Sequence, residues 1–125
     1  MSEYFENRGV MRALRALGFS LKGLRSCYKH ESAFRQEVAI TLAVVPLGLW
    51  LGEGGVEKAM LVSSWLLVLI LELLNSAVEA AIDRFGPEHH KLSGRAKDVA
   101  SAAVFLAISL ACLVWGLILG PRYLG

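Results

Sequence analysis

The chain has 125 residues, of which 55% are hydrophobic, and a formal net charge of +2. Its mean hydropathy of +0.52 is too high for an ordinary soluble protein of this size, so the composition excludes a soluble globular enzyme and points to a single membrane domain over residues 1–125. Cys27 and Cys112 stand in very different segments without metal-ligand or redox spacing, and both are read as packing residues.

No apolar signal-peptide core follows Ser2 to Asn7. The first element is a surface helix over about residues 6–29. Val10, Leu14, Leu17, Leu21, Leu24 and Tyr28 recur at alternating steps of four and three, while Arg8, Arg12, Arg15, Lys22 and Lys29 occupy another face. A basic amphipathic helix of this kind lies in the membrane interface with its cations toward anionic headgroups. Three membrane helices are expected next, over about residues 31–51, 57–84 and 95–120, each near the length that a bilayer core requires. Pro46 lies inside the first, and the short turn Gly52-Glu53-Gly54-Gly55 makes the first two an antiparallel hairpin. Arg8, Arg12, Arg15, Lys22, Arg25, Lys29 and Arg35 precede or open the first span, and Arg84, Lys91, Arg95 and Lys97 lie between the second and third. The opposite side has only Lys58 and Arg122, so the N-terminus is expected in the cytoplasm and the C-terminus outside.

The second span carries the unusual chemistry. Glu72, Asn75, Ser76, Glu79 and Asp83 fall at i, i+3, i+4, i+7 and i+11, one stripe on a helix otherwise covered by leucine, valine, alanine and isoleucine. Ionisable groups at membrane depth are costly and mark a functional site by default. Glu72 is the deepest, where loss of water makes a carboxylate a stronger base. Carboxylates nearer water suit a hard divalent cation that also binds substrate phosphates. The topology brings Glu31, Glu79, Asp83, Lys97 and Asp98 to the same boundary, which suggests a site joining an anionic water-soluble substrate to a membrane-embedded one. Neither a GxxxxGK[ST] loop nor a kinase-type glycine-rich loop is present. His89 and His90 are adjacent in a loop and lack ligand geometry of their own.

The stretch from Glu72 to Asp83, Glu-Leu-Leu-Asn-Ser-Ala-Val-Glu-Ala-Ala-Ile-Asp, resembles the signature of the prokaryotic diacylglycerol kinases. So does Leu-Ser-Gly-Arg-Ala-Lys-Asp-Val-Ala-Ser-Ala-Ala-Val from Leu92 to Val104, and the segments Glu31 to Glu37 and Ser20 to Arg25 are similar to the matching family segments. The resemblance covers nearly the whole chain. It implies an all-α membrane protein, a homotrimer of subunits with an N-terminal amphipathic helix and three transmembrane helices, and sites shared between neighbours. It also implies ATP- and magnesium-dependent conversion of diacylglycerol to phosphatidic acid at a bacterial inner membrane, with no nucleic acid partner.

Carried over by position, the resemblance makes Glu72 the catalytic base, with Asn75 orienting the catalytic carboxylate. Glu31 and Glu79 become the magnesium carboxylates. Arg12, Phe19, Glu31, Glu79, Glu88, His90, Lys97 and Asp98 fall at nucleotide positions. Ala33, Phe34, Arg35, Glu37, Glu72 and Ser101 fall on the lipid side. Two departures stand out: Phe19 and His89 replace residues that are usually tyrosine in the family, and Phe19 cannot donate a hydroxyl hydrogen bond. An undecaprenol kinase of the same family is the nearest alternative, and a small ion-conducting oligomer is an alternative of another class. The Leu92 to Asp98 stretch favours the diacylglycerol enzymes, and the clustering of carboxylates at one side disfavours a conduction path.

Overall fold

A computed structural model describes residues 2–85 and 91–125. Over these residues the chain forms α1 (Ser2–His30), α2 (Ser32–Leu51), α3 (Gly54–Asp83) and α4 (Lys91–Leu124). The last three are each long and apolar enough to cross a membrane. Pro46 is absorbed without ending α2. α3 begins at Gly54, earlier than the sequence pattern predicts, and the chain turns into it at Gly54 with a φ of +79° that only glycine takes readily. The Glu57 carboxylate then accepts the Glu53 backbone N–H at 3.0 Å and caps the new helix start.

α3 is the central helix, packed against α2 on one side and α4 on the other, whereas α1 touches α2 and α3 only sparsely. Val68 is fully buried against Ala107 and Ala111, which lie one turn apart on α4 and let the two backbones approach. On the α2 side Gly48 has the same role: a Cβ there would lie 3.2 Å from Leu61 Cβ and 3.3 Å from Val62 Cγ2. Two indole N–H groups find acceptors inside the bundle, as burial away from water requires. Trp65 donates to Thr41 Oγ1 at 2.7 Å, and Trp115 to the Leu61 carbonyl at 3.0 Å.

Arg122 fastens one end of the bundle. Its guanidinium donates to both Glu57 carboxylate oxygens at 2.8 and 3.0 Å and to the Leu51 carbonyl at 3.1 Å, with Glu53 at 3.2 Å. The end of α4 is thereby tied to the α2–α3 turn. Around the core, Leu42, Trp50, Ile70, Leu74, Phe105, Leu106 and Leu113 are all exposed. Apolar surface on this scale is stable only against lipid or another protein chain.

Candidate functional site

The chain turns at Glu31. This single residue between α1 and α2 is extended, with φ −114° and ψ 110°, and its carboxylate makes no capping hydrogen bond to the helix that it opens. It therefore remains available at the end of the bundle where α1 meets α3. The half-buried Glu72 lies close enough to Glu79 and Glu31 for the three charges to interact. Glu72 also acts on Glu37, whose Oε2 is buried without a hydrogen-bond partner.

Asn75 donates from Nδ2 to Glu79 Oε1 at 3.3 Å, so its amide is engaged by the carboxylate one turn ahead rather than by Glu72. Its Oδ1 is buried and unpartnered. Ser76 faces the other way and accepts a hydrogen bond from Cys27 Sγ at 3.5 Å. Asp83 pairs with Lys97 Nζ at 2.8 Å, which joins the end of α3 to the start of α4, and Lys97 also feels the charge of Glu79.

Two concavities flank this stripe. A cleft of about 690 Å³ opens between α1 and α3, with Ser20, Cys27, His30, Glu31, Ser76 and Ala80 in its lining. A groove of about 520 Å³ runs between α3 and α4, where Asn75 and Arg95 interrupt an otherwise apolar wall of leucine, valine and alanine. Asn75 thus stands between an apolar groove and the carboxylates.

Other sequence-predicted residues are more dispersed. Arg12 and Phe19 are exposed on α1, where the Lys22 ammonium lies 5.9 Å from the Phe19 ring centroid. Asp98 and Ser101 are exposed on α4, and Ala33 is exposed at the start of α2, but Phe34 is buried within the chain. Arg35 donates to the Tyr28 and Lys29 carbonyls at 2.8 and 2.9 Å. Glu88 and His90 lie outside the described residues.

Cys27 is buried at the α1–α3 contact, as its reading as a packing residue expects, and its hydrogen bond to Ser76 is what sequence reasoning missed. Burial holds its thiol above the ordinary value, and the charges of Glu31, Glu72 and Glu37 add to this, while the Ser76 hydroxyl works in the opposite direction. Its place on the apolar face of α1, one turn before Glu31, was the signal available.

The donor set suits a hard cation. Glu31, Glu72 and Glu79 offer carboxylate oxygens whose mutual repulsion a cation relieves. Among the described residues no three histidine, cysteine, aspartate or glutamate side chains converge as a ready-made metal site. Magnesium does not require one, because it binds through one or two carboxylates together with phosphates and water.

The pattern of the prokaryotic diacylglycerol kinase family matches residues 18–119. A diacylglycerol kinase of Escherichia coli is 51% identical over 116 residues, covering 92% of this chain and 94% of that one. Its counterpart in Haemophilus influenzae is 47% identical, covering 92% and 98%, and that of Pseudomonas aeruginosa is 42% identical, covering 89% and 90%.

Proposed function

The chain belongs to the prokaryotic diacylglycerol kinase family, and from that premise we propose that it transfers the γ-phosphate of ATP to the free hydroxyl of diacylglycerol, giving phosphatidic acid. The observation that carries the reading is that Glu72 lies within electrostatic reach of both Glu31 and Glu79 near the end of the bundle where α1 turns into α2.

In this reading Glu72 accepts the proton of the lipid hydroxyl as its oxygen bonds to the γ-phosphorus. The bond from that phosphorus to the β–γ bridging oxygen breaks, and ADP leaves. Glu31 and Glu79 hold magnesium, which when bound neutralises charge on the nucleotide phosphates. Lys97, released from Asp83, and Arg12 supply further positive charge, while Phe19 and Asp98 contact the nucleotide. Glu37, Ala33 and Ser101 lie toward the lipid, and the apolar groove beside Asn75 offers room for an acyl chain.

The exposed positions of Arg12, Phe19 and Asp98 support a site completed by neighbouring copies, and the exposed apolar helix faces support a homotrimer. The basic residues of α1 and of the α3–α4 connection support an orientation with this end in the cytoplasm of a bacterial inner membrane and the C-terminus outside.

The test is phosphorylation by purified protein of diacylglycerol and of undecaprenol from γ-labelled ATP. Magnesium-dependent labelling of diacylglycerol is expected. Faster labelling of undecaprenol would overturn the acceptor, and no labelling of either lipid would overturn the reaction.

A further inference from the structure

A cation one turn inside the start of a helix works against that helix's own dipole, and Arg35 is such a residue in α2. Its side chain explains the placement. Where the backbone becomes extended at Glu31, the carbonyls of Tyr28 and Lys29 lose the amide partners that a continuous helix would supply. Arg35 Nη1 donates to both, at 2.8 and 2.9 Å, so the cation sits at the negative end of α1 instead. The Arg35 backbone N–H bonds to the Glu31 carbonyl at 3.2 Å, and the Glu31 N–H bonds to the Cys27 carbonyl at 2.9 Å. Arg35 therefore spans the elbow, with its backbone on one side of the bend and its guanidinium on the other.

Beyond these bonds α1 meets α2 and α3 only sparsely, and near its end Cys27 reaches Ser76. The angle at Glu31 decides whether its carboxylate stands beside Glu72 and lines the cleft against α3.

We infer that Arg35 is a positioning residue for magnesium–nucleotide binding, a strut that holds the α1–α2 elbow so that Glu31 faces α3. The inference rests on the proposed role of Glu31. It differs from the lipid-side position that the family resemblance gives Arg35, and the two are separable.

The experiment uses full-length protein in a Cys112→Ala background, in which Cys27 is the only thiol. Arg35→Gln, Arg35→Lys and Glu31→Gln are compared for three quantities: the KM for ATP with its magnesium requirement, the KM for diacylglycerol, and the rate at which N-ethylmaleimide alkylates Cys27. Loss of two charge-assisted hydrogen bonds in Arg35→Gln should raise the magnesium requirement and the ATP KM roughly tenfold and speed alkylation by a similar factor. The lipid KM should not change, and Arg35→Lys, which keeps the charge and can donate to the same carbonyls, should recover part of each effect.

A rise confined to the lipid KM overturns the strut and makes Arg35 a lipid contact. Unchanged alkylation overturns it as well, whatever the kinetics. If Glu31→Gln leaves the magnesium requirement unchanged, the role of Glu31 fails and the inference falls with it. If Glu31→Gln raises that requirement and Arg35→Gln does not, the role of Glu31 stands and the strut alone fails.

Discussion

Replacing Glu72 with glutamine keeps the side chain's size and removes its ability to accept a proton. General base catalysis typically contributes ~10²–10⁴-fold, so the loss of this group should lower kcat by that factor, or about 3–5 kcal/mol of barrier. The structure supplies a second, less obvious expectation. Glu72 repels Glu31 and Glu79 through their shared negative charge, and a neutral amide relieves that repulsion. The pair should then hold a cation at least as well as before, so the magnesium requirement and the ATP KM should stay level or fall while kcat collapses. The assay is transfer of label from γ-labelled ATP into organic-soluble lipid in mixed micelles, with ATP, magnesium and diacylglycerol each varied. Turnover within about threefold of the parent would remove Glu72 as the base. A loss expressed wholly as a higher magnesium requirement would make it a metal ligand instead.

Three further outcomes follow from particular contacts. Lys97→Ala should raise the ATP KM, whereas Asp83→Asn, which frees the same ammonium, should not; equal effects in titrations with a non-hydrolysable ATP analogue would show that only the ion pair matters. Gly48→Val should destabilise the bundle by about 1–3 kcal/mol through overpacking against Leu61 and Val62, read as easier unfolding in detergent denaturation, with Gly48→Ala milder. Because the Cys27 thiol is held above its ordinary value, its alkylation in a Cys112→Ala variant should still be rising with pH where a free thiol has levelled off, and an early plateau would contradict that setting.

Much of the architecture was legible because its signals are local and periodic. The apolar steps of α1 and the acidic stripe of α3 depend only on helical repeat, and three long apolar runs read directly as membrane-length helices. The break between α1 and α2 was legible to within a residue from the change of an amphipathic pattern to an apolar one, whereas the extended backbone of Glu31 was not, since no glycine or proline marks it. The partner of Asn75 was also ambiguous in principle. Glu72 and Glu79 stand three residues before it and four after, both within reach on a helix surface, and only the side-chain conformation selects Glu79. Long-range contacts left no trace in any single window: Cys27 meets Ser76 and Arg122 meets Glu57 through folding alone.

The two ends of α3 are built on opposite principles. At one end Glu57 is fully engaged, bonded by Arg122 and by the Glu53 backbone, and the turn, α3 and α4 are fastened together. At the other, Glu72 lies within electrostatic reach of Glu79 and Glu31, and Lys97, the basic side chain paired at that end of α3, is committed to Asp83. Uncompensated like charges in a poorly hydrated place destabilise a fold, so their persistence requires that stability be supplied elsewhere. Leu61, Val68, Ala107 and Ala111 supply it in the middle of the bundle and Arg122 at the far end. The sparse seating of α1 belongs to the same division. On the proposed function the site must admit a nucleotide from water and a lipid from the bilayer, which close packing would prevent; the inferred strut at Arg35 and the thiol–hydroxyl contact at Cys27 would hold Glu31 while leaving the cleft beside it open.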